Sequence, residues 1–182
     1  GKIDSEYREN KLRIDSNQAR SVVVVVAVIA LAYAYMDYLA LGFSLTYYLL
    51  LIIRGAFFLL SLFYFFWLPQ LKEVNLFDSA ILIWNFLLIA LELVTRIQTA
   101  WEFNEYILIH YILILAFYLV IPNRFSFRML PALVITVADA VTISTHTPDL
   151  NLVTIIHYFV LLISMNLLGI LSSLRLEQHD YN

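Results

Sequence analysis

Long apolar runs broken by short polar segments dominate the chain. Six stretches approach the ~20 residues a helix needs to cross a ~30 Å hydrocarbon layer. They are Val22 to Leu41, Tyr48 to Leu68, Leu76 to Arg96, Glu105 to Ile121, Met129 to Thr145 and Leu152 to Ser172. The runs lack the period-2 alternation of strands, even through the valines at 22–26, and barrel strands of ~10 alternating residues do not match either. Backbone groups in lipid must bond within their own segment, so each run predicts a helix. The predicted fold is an all-α integral membrane protein, a bundle of six transmembrane helices.

The breaks carry turn and cap chemistry. Gly42 follows the first run and Pro69 stops the second. Asn75 and Asp78 suit the N-terminal turn of the third. Pro122-Asn123 ends the fourth, and Thr147-Pro148-Asp149 parts the fifth from the sixth. Connections this short make consecutive helices antiparallel neighbours. The expected organisation is a polar cytoplasmic segment over 1–20, a six-helix domain over 21–173, and the start of an output-linking helix over 174–182. Ala32-Tyr33-Ala34 resembles a leader cleavage site, but the apolar run continues beyond it to Leu41, so the segment reads as a span.

Composition supports a membrane protein and argues against a soluble enzyme. Of the 182 residues, 62% are hydrophobic and 14% charged, against about 45–50% and about 25% in soluble domains. Mean hydropathy is +0.82. There is no cysteine, which excludes disulfides and thiol chemistry. Net charge is −3 and the basic residues are scattered, so no nucleic-acid partner is expected.

The distribution of Lys and Arg sets orientation. Lys2, Arg8, Lys11, Arg13 and Arg20 precede the first run, Lys72 follows the second, Arg124 and Arg128 follow the fourth, and Arg175 follows the sixth. The alternate connections at 42–47, 97–104 and 146–151 hold none. Both termini of this multi-pass protein are therefore expected to be cytoplasmic.

Ionisable side chains inside spans are rare and usually functional. Asp37, Arg54, Glu92, His110, Asp139 and His157 each lie roughly 6–9 Å in from the outer end of a predicted span. Arg96 adds a cation one turn from Glu92. Two readings fit this layer. In one, it lines a chamber open to the outside that binds a ligand. In the other, it is a structural network in which Asp37 pairs with Arg54 and Glu92 with Arg96. Two histidines with Asp139 and Glu92 also suit a divalent metal, although no local spacing such as H-x3-H occurs. Tyr47, Tyr48, Trp67, Trp101 and Tyr106 fit interfacial belts, and Tyr33, Tyr35, Tyr111 and Tyr158 lie near the polar layer. In the sixth run, Gly169 and Ser173 form a small-x3-small pair and Asn166 lies on a similar face. Packing within the bundle and dimerisation explain these three equally well.

The six-span layout, Asn166-Leu167-Leu168-Gly169, the exit through Leu174-Arg175-Leu176-Glu177, and Asp37 with Arg54 together resemble the N-terminal membrane sensor modules of bacterial nucleotide cyclases. These are chiefly GGDEF diguanylate cyclases and class III adenylate cyclases. The resemblance implies a non-catalytic receptor that works as a homodimer, with its last span continuing into a cytoplasmic cyclase domain not contained in this chain. Expected partners are membrane lipid, that output domain and an unidentified small ligand. A metal ion, a lipid or quinone, or a proton taken up by His110 or His157 are candidate signals. The alternative is a small transporter or channel, which needs a polar path across the whole bilayer. No H-E-x2-H or G-x-S-x-G motif points to an enzyme.

Overall fold

The computed structural model describes residues 2–98, 103–122, 125–145 and 152–180, with side chains over 12–98, 108–122, 127–142 and 152–175. The described residues form helices α1 (Lys2–Leu41), α2 (Leu45–Trp67), α3 (Val74–Gln98), α4 (Phe103–Leu119), α5 (Phe125–Thr145) and α6 (Leu152–Asp180), with a 3-10 turn at Leu68–Gln70. No strand occurs among them. Four segments are long and apolar enough to cross a bilayer: Leu12–Leu41, Leu45–Gln70, Val74–Gln98 and Leu152–Arg175. A shorter apolar helical segment covers Leu108–Leu119.

The chain divides into two compact units, Gly1–Glu102 and Phe103–Asn182. The polar N-terminal segment is not set off from the first span, because α1 runs unbroken through it. One apolar stripe explains this. Leu12, Ser16, Ala19, Val23, Ala27, Ala30, Ala34 and Asp37 are all buried at steps of three and four, so the packing face of α1 begins well before the valine run.

In the first unit this stripe is mostly small side chains, whereas α2 buries Leu50, Arg54, Phe57, Ser61 and Tyr64 at the same spacing, continued by Leu68 in the 3-10 turn. Small against large lets the two backbones approach closely. The hairpin turns at Gly42, whose φ of 59° is reached cheaply only without a Cβ. Ser44 then caps α2 by accepting the Tyr47 N–H at 3.1 Å. Around the turn, Tyr38, Phe43, Tyr47 and Tyr48 pack ring to ring.

The far end of α2 shows how a proline stop is completed. Pro69 has no N–H to offer the Phe65 carbonyl four residues earlier. Arg20 of α1 replaces it, donating from Nε at 3.0 Å while its guanidinium lies 4.2 Å from the Phe65 ring centroid. Helix α3 packs antiparallel to α2, joined where the Trp84 indole N–H donates to Ser61 Oγ at 3.0 Å. Asp78, expected in the open N-terminal turn of α3, is instead buried on the packed face one turn further in.

The second unit repeats the up-down-up arrangement with α4, α5 and α6. Paired residues along the helices fix the directions. His110 meets Asp139, and the Tyr118 carbonyl meets Arg128, so α4 and α5 are antiparallel. Tyr111 meets the Tyr158 carbonyl and Tyr118 meets Asn166, so α4 and α6 are parallel. Pro122 leaves the Tyr118 carbonyl without its usual helical donor, and here again an arginine, Arg128, approaches at 3.5 Å.

Candidate functional site

Within the first unit, Asp37 and Arg54 form a bidentate ion pair near the α1–α2 turn. Asp37 lies on the last turns of α1 and Arg54 on the third turn of α2, so the tight hairpin sets them opposite each other. Arg54 Nε donates to Asp37 Oδ2 at 2.6 Å, and Nη2 donates to Oδ1 at 3.2 Å. Nη1 donates to the Ala30 carbonyl at 2.9 Å and Nη2 also to Thr95 Oγ1 at 3.3 Å. Thr95 in turn donates to the Leu91 carbonyl at 2.9 Å. One guanidinium thereby ties α1, α2 and α3 together. The pair is almost wholly buried, at 1% and 0% exposure. A buried charge is tolerated when it is paired and further hydrogen-bonded, and here Arg54 is paired with Asp37 and each of its three nitrogens donates at least one bond. The Tyr33 ring centroid lies 5.9 Å from the guanidinium carbon.

Within the second unit, His110 Nδ1 lies 2.7 Å from Asp139 Oδ1, and both side chains are buried. About two helical turns along α4 lies a second polar group. Tyr118 donates its hydroxyl to Asn166 Oδ1 at 3.2 Å, and Asn166 Nδ2 donates to Thr136 Oγ1 at 2.8 Å and to the Leu162 carbonyl at 2.9 Å. Beyond it, Arg128 donates to Ser173 Oγ at 3.1 Å. The Tyr118 ring is seated on Gly169, where a Cβ would meet Tyr118 Cδ2 at 2.2 Å. Asn166, Gly169 and Ser173 thus form the face of α6 that packs against α4 and α5.

Asp37 pairs with Arg54 within the first unit, and His110 with Asp139 within the second. His157 joins neither pair. It is exposed, and its ring lies edge-on to Tyr158 at 6.4 Å between centroids. Glu92 and Arg96 are half-buried and both engaged with neighbours. Tyr35 is 65% exposed, whereas Tyr111 is buried with its hydroxyl 3.3 Å from the Tyr158 carbonyl. Trp101 and the side chain of Tyr106 lie outside the described residues. Among the described residues, no group of three or more His, Asp or Glu side chains could hold a metal ion.

Sequence reasoning missed Thr95, Tyr118, Thr136 and Arg128. Thr95 precedes Arg96 and gives no signal of its own. Tyr118 near the end of an apolar run reads as an interfacial anchor. The tell for Arg128 was Pro122, which guarantees a carbonyl in need of a donor.

The apolar helices and buried polar sites together define a helical membrane protein, with the Asp37–Arg54 ion pair enclosed in one three-helix unit and the His110–Asp139 hydrogen bond in the other. Comparison with protein families, curated proteins and solved structures finds no match to this chain.

Proposed function

We propose that this chain is a transmembrane receptor module of a bacterial cytoplasmic membrane. In this reading it has six spans and both termini cytoplasmic, and it regulates a nucleotide-cyclase-type output domain joined beyond α6 in a homodimer. A signal in the outer half of the membrane, a small ligand, lipid or quinone, acts on the buried polar sites. The change in helix packing travels along α6.

The observation that carries this reading is the polar ladder of the second unit. It runs from His110–Asp139 through Tyr118–Asn166–Thr136 to Arg128–Ser173, and its last two steps hold α6. Buried hydrogen-bonded groups have few alternative arrangements, so α6 has discrete packings rather than a continuous range. A ligand shifts such an equilibrium only by binding the two packings unequally.

The test is a fusion of the full chain to a diguanylate cyclase domain. Asn166→Leu breaks the middle step of the ladder and is expected to change cyclic-di-GMP output several-fold at equal membrane abundance. Output equal to that of the unsubstituted fusion contradicts the receptor reading.

A further inference from the structure

In the first unit, a cleft of about 570 Å³ lies between the N-terminal half of α1 and the connection from α2 to α3. Its volume falls in the ~300–1,000 Å³ range of small-ligand sites. Arg13, Ser16 and Asn17 line it from α1, at the i, i+3, i+4 spacing that places them on one helix face. Pro69, Leu71 and Lys72 line it from the connection. Both charged residues in the lining are cations. Arg20, two turns deeper on α1, is committed to the Phe65 carbonyl and ring. The acids nearest in sequence, Asp15 and Glu73, are not in the lining.

A second, independent observation marks this cleft as a ligand site. Ser16 is 6% exposed, and its Oγ has no hydrogen-bond partner among the described residues although it lines the cleft. A buried hydroxyl without a partner carries a desolvation cost, which a ligand oxygen at that position would remove. Position adds a third constraint. The apolar segment Leu45–Gln70 ends at the cleft, and the positions of α1 that line it precede the apolar run starting at Val22. The cleft therefore lies just beyond the polar ends of both apolar runs, at the level of lipid headgroups.

We infer that this cleft binds a phosphate-ester anion, with the headgroup of an anionic phospholipid as the source that its depth favours. Arg13 supplies a planar donor fork to two phosphate oxygens, Lys72 a point charge, and Ser16 and Asn17 neutral donors. Pro69 and Leu71 offer an apolar wall to the glycerol backbone.

The experiment uses the full chain in nanodiscs of phosphatidylcholine doped with fluorescent phosphatidylglycerol, with binding read by energy transfer from a dye on the protein. A parallel arm titrates inorganic phosphate. Removing one cation at the surface weakens anionic-lipid binding by about five-fold. Arg13→Gln and Lys72→Gln are each expected to show that loss, whereas Arg175→Gln, on the second unit, is expected to leave binding unchanged. Competition by millimolar phosphate with the same dependence on Arg13 and Lys72 supports the site and assigns it to a soluble phosphate ester. Absence of such competition assigns it to lipid. Equal binding by Arg13→Gln, Lys72→Gln and the unsubstituted protein in both arms overturns the inference.

Discussion

Asp37→Ala is expected to destabilise the protein by about 3–5 kcal/mol, the loss typical when one partner of a buried ion pair is removed. The reason is asymmetric. The substitution deletes two hydrogen bonds, but its main effect is to leave the Arg54 guanidinium charged at 1% exposure, with the Ala30 carbonyl and the Thr95 hydroxyl as its remaining hydrogen-bond acceptors among the described residues. Replacing both partners with apolar residues removes the charge as well as the bond. Asp37→Leu with Arg54→Met is therefore expected to recover most of the loss. Denaturant unfolding of the purified protein in detergent measures both. A double variant as unstable as the sum of its singles contradicts the pairing.

Gly169→Ala is expected to cost about 1–3 kcal/mol, the usual penalty for overpacking. A single methyl has this effect because the atoms it meets cannot step aside cheaply. Tyr118 Cγ and Cδ2 belong to a ring held at its far end by the bond to Asn166. The prediction is conditional on that ring. In a Tyr118→Ala background the same Gly169→Ala change is expected to be nearly neutral, and a coupling energy near zero in this cycle contradicts the packing described.

Both sites were partly legible in the sequence, and the difference between what could and could not be read is instructive. Charged residues within apolar runs announce themselves. The pairing of Asp37 with Arg54 follows once a tight turn at Gly42 places them at similar depth on consecutive antiparallel helices. His110 and Asp139 follow by the same logic. Depth, however, does not fix the direction in which a residue faces. His157 shares the depth of the others, but it lies one residue, or about 100°, from the buried line of Tyr158, Leu162, Asn166, Gly169 and Ser173. The acceptors for Arg54 were also hidden, because a backbone carbonyl such as that of Ala30 leaves no trace in residue identity. The continuity of α1 through residue 20 was obscured by charge on its exposed face, although Leu12, Ser16 and Ala19 already followed the spacing of the stripe beyond.

The grouping of helices into two units lies deeper still. Apolar runs of similar length specify helices without specifying which ones associate. What separates them here is complementarity of detail. Small residues on α1 receive the large side chains of α2, and Gly169 on α6 receives Tyr118 of α4.

The claim on which the receptor account depends is that the state of His110–Asp139 governs how α6 packs two turns away. Because the chain has no cysteine, spin labels can be placed at Leu119→Cys on α4 and Leu171→Cys on α6, both exposed positions. Electron–electron double resonance in nanodiscs then reads the distance between the two helices. The account predicts that Asp139→Asn shifts or splits the distance distribution while the protein stays folded. A folded protein whose distribution is unchanged by Asp139→Asn would contradict it.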